Sequence, residues 1–227
     1  MQKQWTAVDL YITDSLLPHD PVLDSVLVAN ASAHLPSIDV APNQGKLLDL
    51  LARMCGARRI LEIGTLGGYS SIWLARALPP DGKLVSLEYE PKHAAVAQAN
   101  IARAGLAGLV EIRVGAAAVS LARLADEGPE PFDLIFIDAD KPNNPVYLHW
   151  ALKLAREGTV IIADNVVREG AILNPASPDP NVQGTRSMFE LLAKDPRVSA
   201  TALQTVGSKG WDGFALALVV AEPEVSD

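Results

Sequence analysis

Arg59-Ile60-Leu61-Glu62-Ile63-Gly64-Thr65-Leu66-Gly67-Gly68-Tyr69-Ser70-Ser71 begins as a short apolar run and turns through three glycines. It continues through Ile72-Trp73-Leu74-Ala75-Arg76-Ala77-Leu78 with apolar residues at helical spacing. Strand, glycine loop, helix is the order that places a small-molecule site where a strand's carboxyl end meets a helix's amino end. Glycine serves there because a side chain would block a ligand's approach to the backbone, or because φ must be positive.

The dinucleotide fingerprint needs glycine at its first, third and sixth positions. Counted from Gly64, those positions hold Gly64, Leu66 and Tyr69, so the glycine that would let a pyrophosphate sit against the backbone is a leucine. No Gly-Lys-Ser/Thr follows, which removes the P-loop. What remains is Glu62-x-Gly64-x-x-x-Gly68-x-Ser70. That set suits a cofactor without phosphates and with a cationic amino-acid end, such as S-adenosylmethionine. The alternative at this point is a strand-to-helix turn that holds no ligand.

The 227 residues fit one α/β domain, expected over 1–227 with 1–55 as an N-terminal helical cap. Hydrophobic residues at 49% and charged residues at 20% are ordinary for a globular protein. A net charge of −8 without a basic block disfavours nucleic acid, whose recognition relies on a positive face. A single cysteine, Cys55, permits no internal disulfide, and the four histidines lack metal-ligand spacing. No apolar leader precedes Asp9 and Asp14, and the longest apolar run, Phe214 to Ala221, is too short to span a bilayer. A cytoplasmic protein without membrane partners is the expectation.

Asp20-Pro21 opens one helix in the cap and Pro42 another. Strands are expected at Lys83–Glu88, Val110–Val114, Phe132–Ile137 and Thr159–Ala163, alternating with helices, which favours an open parallel sheet covered on both faces. The turn-rich Asn174–Asn181 predicts a mobile loop over the site, followed by a helix from about Val182 to Lys194. Two closing strands, near Ser199–Val206 and Phe214–Val220, are joined by Gly207–Gly213 and predicted antiparallel.

Three strands end in acids. Glu88 sits where a carboxylate would accept both hydroxyls of a ribose, with Glu90 as a rival and a solvated charge as the plain alternative. Two further strands end in Asp138-Ala139-Asp140-Lys141 and Asp164-Asn165. If those strands are neighbours, Asp138, Asp164 and Asn165 bring three oxygen donors together. Hard oxygen donors without cysteine or histidine select Mg2+, or Mn2+ or Ca2+, over zinc. Helix N-capping is the commoner use of such aspartates. A lysine works as a base when burial or a nearby cation lowers its pKa, and a divalent ion would supply the cation. Otherwise Lys141 is a surface charge paired with Asp140.

At these motifs the chain resembles the cation-dependent class I O-methyltransferases, the family of catechol and caffeoyl-CoA O-methyltransferases. The likeness runs from about Tyr11 to Val220 and rests on Leu61–Ser70, Ile137–Lys141 and Ala163–Val166. It implies a Rossmann-like, doubly wound, seven-stranded sheet, mostly parallel, with the last strand antiparallel. It implies that Val40, Glu62, Gly64, Thr65, Gly68, Tyr69, Ser70, Glu88, Ala117, Asp138 and Asp140 meet S-adenosylmethionine. Asp138, Asp164 and Asn165 match the metal ligands, and Lys141 matches the general base beside Asp138. A homodimer and a small aromatic hydroxyl substrate follow from the same likeness.

The chain also departs from the catechol enzyme. Gly115-Ala116-Ala117-Ala118 leaves adenine to backbone and apolar contacts, and Gln204-Thr205-Val206 offers no carboxylate to a catechol's second hydroxyl. Glu169, Met188, Phe189 and Trp211 are candidates for the acceptor pocket, or else for packing. A nicotinamide-dependent dehydrogenase is disfavoured by Leu66. A non-catalytic cofactor-binding module would have no use for Lys141 beside a metal.

Overall fold

The computed structural model describes residues 1–221, so the last six residues of the expected 1–227 domain lie outside it. Seven strands form one sheet: β1 (Arg59–Ile63), β2 (Lys83–Glu88), β3 (Val110–Val114), β4 (Phe132–Ile137), β5 (Ala155–Asp164), β6 (Val198–Gly207) and β7 (Gly210–Val219). Their order is β3-β2-β1-β4-β5-β7-β6. The first five run parallel, and β7 is antiparallel to both of its neighbours. This is the predicted Rossmann-like fold, with the last strand reversed.

The buried strands β1 and β4 occupy the centre because every residue of β4, and all but the first of β1, is shielded from water. Alternation sends Leu61, Ile63, Ile135 and Ile137 to one face and Ile60, Leu134 and Phe136 to the other. The first face is covered by α6 (Ala117–Asp126), α7 (Asn144–Lys153) and α8 (Pro180–Lys194), which contribute Leu121, Leu148 and Met188. The second is covered by α3 (Pro42–Met54), α4 (Tyr69–Ala77) and α5 (Pro91–Arg103), through Leu48, Ile72 and Ala97. Each large apolar side chain enclosed this way contributes about 1.5–3 kcal/mol. Chain order reverses between β1 and β4, so the cleft for a ligand opens at their carboxyl ends.

Two more helices complete the cap, α1 (Gln2–Leu16) and α2 (Pro21–Ser32). Pro21 starts α2, and the Asp20 carboxylate accepts from the Val22 and Leu23 N–H groups at 3.1 Å each. Asp9 of α1 accepts from Asn43 Nδ2 at 3.0 Å and from the Ser208 N–H at 2.6 Å, tying the cap to the far hairpin. Asn100 donates to Asn30 Oδ1 at 3.0 Å and to the Gly67 carbonyl at 2.8 Å, tying it to the glycine loop. Among the described residues, no helix is long and apolar enough to cross a membrane.

Three boundaries differ from expectation. β5 starts at Ala155 rather than Thr159, because a register shift lets Ala155 pair with Phe132 across the irregular Arg156-Glu157-Gly158. The Thr159 hydroxyl closes that irregularity, accepting from Arg156 N and donating to the Phe132 carbonyl. The last hairpin turns in two residues, Ser208-Lys209, since Val206 pairs with Trp211 and Thr205 with Asp212. The stretch Asn174–Asn181 does not stay a loop to its end. Asp179 caps α8, which begins at Pro180.

Candidate active site

A cavity of about 740 Å3 opens at the carboxyl ends of β1, β2, β4 and β5. Of the expected residues, Val40, Gly64, Thr65, Tyr69, Ser70, Glu88, Ala117, Asp138, Asp140, Lys141 and Asn165 stand on its wall. Glu62, Gly68 and Asp164 do not.

The glycine loop is shaped by close backbone approach. Gly64 has φ of 102°, and a Cβ there would collide with the Asp138 carbonyl, where β1 and β4 end side by side. Leu66 has φ of 49°, so it adopts the left-handed conformation that a glycine would otherwise supply. Glu88 holds the turn in place. Its Oε2 accepts from the Thr65 N–H at 3.1 Å and the Leu66 N–H at 2.8 Å, while Oε1 accepts from Glu90 N at 2.9 Å. His93 Nδ1 lies 3.3 Å from the same carboxylate. Glu90 is exposed and off the wall, whereas Glu88 stands on it.

Glu62 corrects the expectation that it faces the cofactor directly. Its side chain points to the α4 side of the sheet, is fully enclosed, and accepts from Ser70 Oγ and Ser86 Oγ at 2.6 Å each and from Ser71 Oγ. Burial pushes its carboxyl up to about 7, against the pull of those three hydroxyls. Its influence on the cavity passes through Ser70, which stands on the wall.

At the other end, Asp138 accepts from Lys141 Nζ at 2.9 Å, and Lys141 is only 5% exposed. Lys141 is therefore no surface charge. Asp140 is engaged elsewhere, accepting from Asn143 Nδ2 at 2.6 Å and from the Tyr147 hydroxyl. Burial and that bond keep the Tyr147 proton in place well above its ordinary range. Asp164 lies just behind the wall. Its Oδ2 accepts from Gln44 Nε2 at 2.7 Å and its Oδ1 from Asn165 N at 2.8 Å. Burial first, then the charge of Asp138, pushes Asp164 up to about 7, with Lys141 opposing.

A divalent cation fits this arrangement. Among the described residues no group of three or more His, Cys, Asp or Glu gathers to hold a metal, since the expected set is two acids and an amide. The crowding of Asp138 and Asp164 is the charge imbalance that a hard cation would relieve, and each carboxylate keeps lone pairs to offer. S-adenosylmethionine also fits a cavity of this chemistry, which offers the Glu88 carboxylate and an apolar wall of Leu87 and Ala116–Ala118.

Four acceptor-pocket candidates fall away from the wall. Met188 is buried in the core, with Phe189 packed beside it. Trp211 covers Gly170 and donates to Gln204 Oε1 at 3.1 Å. Glu169 is absent from the lining. Sequence reasoning missed Gln44, His93, Tyr147, Arg168 and Asn181. For His93 a signal existed, its place in the first turn of the helix after Glu88; the others depend on contacts between distant elements.

With this geometry in hand, known proteins give a consistent comparison. The family model described as O-methyltransferase matches residues 15–219. A catechol O-methyltransferase of Niastella koreensis is 54% identical over 213 residues, covering 94% of this chain and 96% of its own. The crystal structure of an O-methyltransferase from Bacillus cereus in complex with SAH superposes with a TM-score of 0.96 at 60% identity, covering 96% of this chain and 100% of that one. That of TomG from Streptomyces achromogenes, involved in tomaymycin synthesis and in complex with SAM, gives 0.94 at 52% identity, covering 97% and 99%. Sheet order, strand-end acids and relatives agree: this chain belongs to the O-methyltransferase family.

Proposed function

We propose that this protein transfers a methyl group from S-adenosylmethionine to a hydroxyl of a small catechol-like or caffeoyl-type aromatic, assisted by Mg2+ or a similar divalent ion. The observation that carries the reading is the pairing of buried Lys141 with half-buried Asp138, on the same cavity as Asn165, Glu88 and the glycine loop, with Asp164 just behind its wall. The names of the Niastella koreensis and Bacillus cereus relatives support the acceptor class and the cofactor.

Asp138, Asp164 and Asn165 would hold the cation. The chemistry it would supply there is to make a nearby acceptor hydroxyl more acidic. The cofactor would supply a methyl group on a positively charged sulfur. Lys141 Nζ is placed to take the hydroxyl proton as the acceptor oxygen attacks. Asp138 keeps that amine aimed at the cavity. Glu88 and the Thr65 and Leu66 backbone fix the loop, so the acceptor is held in line rather than searching for its geometry. Lys141 and Asp164, each no more than 6% exposed, keep the proton transfer away from bulk water.

Methyl transfer to a panel of catechols and caffeoyl esters, with Mg2+ and again with EDTA, tests the reading. Turnover that disappears with EDTA and returns with Mg2+ is expected. EDTA-insensitive turnover, or full activity in the Asp164→Ala, Asn165→Ala double variant, would reject the metal's role. A homodimer belongs to the same proposal, supported by exposed Leu10 and Tyr11 on α1, and gel filtration across a range of concentrations checks it.

A further inference from the structure

The acceptor end of the cavity contains a cation that the proposed chemistry does not use. Arg168 stands on the wall three residues beyond Asn165. The other basic side chains there have partners, Lys141 in Asp138 and His93 in Glu88. Arg168 is held by its backbone: the Val167 and Arg168 N–H groups donate to Asp212 Oδ1 at 2.9 and 3.0 Å, with Arg168 at φ of 54°. Its guanidinium is only partly satisfied. Nη1 is 3.9 Å from Asp212 Oδ2, beyond hydrogen-bond distance, and Nε is buried without a partner. Asp179, the other acid that feels its charge, caps α8 through Oδ1, which accepts from Asn181 N and Nδ2 at 2.8 Å each.

Position in the sheet decides what this cation can meet. Glu88 ends β2 and Asn165 follows β5, three strand spacings away in the order β2-β1-β4-β5, or about 14 Å. A cofactor with its ribose at Glu88 and its reacting end near Asp138 leaves Arg168 beyond the acceptor oxygens. A neutral catechol would bring that guanidinium no charge to pair with, leaving it only the distant Asp212 carboxylate.

We propose that Arg168 determines acceptor specificity by pairing with a carboxylate, so that the acceptor class is a dihydroxylated aromatic acid. This rests on the function proposed above. The planar fork of an arginine matches a carboxylate's two oxygens, which a neutral ring substituent cannot reproduce. The hydroxyls then lie toward Lys141 and the acid group toward Arg168.

The test compares 3,4-dihydroxybenzoate with its methyl ester, which differ in charge and keep the same reacting hydroxyls. Calorimetric binding to the SAH-loaded, Mg2+-supplemented protein is measured beside kcat/KM, in wild type, Arg168→Met and Arg168→Lys. The wild type should favour the acid by about 10- to 100-fold in both readouts. Arg168→Met should lose most of that preference, through weaker binding of the acid, and Arg168→Lys should recover part of it. Undiminished SAH affinity would show that each variant is folded. Equal binding of acid and ester by wild type would overturn the proposal, as would an undiminished preference in Arg168→Met. A binding preference that follows Arg168 without turnover of either compound would refute the methyl-transfer reading while leaving the carboxylate site standing.

Discussion

Replacing Glu62 by glutamine should flatten the pH dependence of stability. In the native protein burial raises the carboxyl from 4.5 to about 7, whereas the unfolded chain leaves it near its ordinary value. Between those pH values the native state holds a proton that the unfolded state has released, so stability falls as pH rises. The contribution is fully present below 4.5 and is lost as pH passes through 7. Two and a half pH units at about 1.4 kcal/mol each correspond to a loss on the order of 3 kcal/mol. Glutamine is close in shape, and its amide can both accept from and donate to Ser70, Ser71 and Ser86 without titrating. Urea unfolding at pH 5 and pH 7.5, in EDTA and without cofactor, measures the effect. The stability difference between the two pH values should shrink in Glu62→Gln by on the order of 3 kcal/mol. A residual slope of the same sign is expected from Asp164, whose carboxyl is also raised to about 7. An unchanged difference at an unchanged m value would show that Glu62 ionises freely where it sits.

Other perturbations address the remaining parts of the site and its frame. Lys141→Met should lower kcat by about 10²- to 10⁴-fold while SAH affinity, read by calorimetry, is unchanged; near-normal turnover would remove Lys141 as the base. Glu88→Gln weakens the acceptor that holds the Thr65, Leu66 and Glu90 N–H groups, so SAH should bind about 10- to 100-fold more weakly; full affinity would contradict that role. Asp133, at the opposite end of β4, accepts from the Arg58 and Arg59 N–H groups at 2.8 and 2.9 Å and from Arg156. Asp133→Ala should therefore cost roughly 2–4 kcal/mol of stability, measured by urea titration, with no change in kcat/KM. Burial alone would raise that carboxyl, but its three donors hold it below its ordinary value. Its contribution is thus present above pH 3.8 and fades as pH drops through the lower native value.

Much of this architecture is legible from sequence because the sheet's centre is buried on both faces. β4 is a near-continuous apolar run, and its observed ends, Phe132 and Ile137, are the predicted ones. β5 is less legible at its start because Arg156-Glu157-Gly158 is polar and irregular, and only pairing with β4 makes it strand. The last hairpin misleads for a related reason. Gly213 reads as turn punctuation, yet it sits within β7 because a Cβ would collide with the Leu203 carbonyl. In the site, acids at strand ends announce themselves, since the topology of a parallel sheet already says where those ends meet. Gln44 does not. It touches Asp164 across 120 residues of chain, and nothing local in either segment marks the pair. Glu62 was misplaced because a strand-end acid beside a glycine loop reads as a ligand, while its orientation is set by serines on α4 and β2.

The hydrogen bond from Gln44 to Asp164 bears on how such enzymes are recombined. The first fifty residues look like an interchangeable module for grafting a new acceptor preference onto a common sheet. Here that segment supplies a direct partner to one of the acids expected to grip the cation, while Asp9 fastens it to the distant hairpin and Asn30, through Asn100, to the glycine loop. A chimera joined near residue 55 would inherit a catalytic centre with one side unsupported unless the donor segment brought an equivalent amide at position 44.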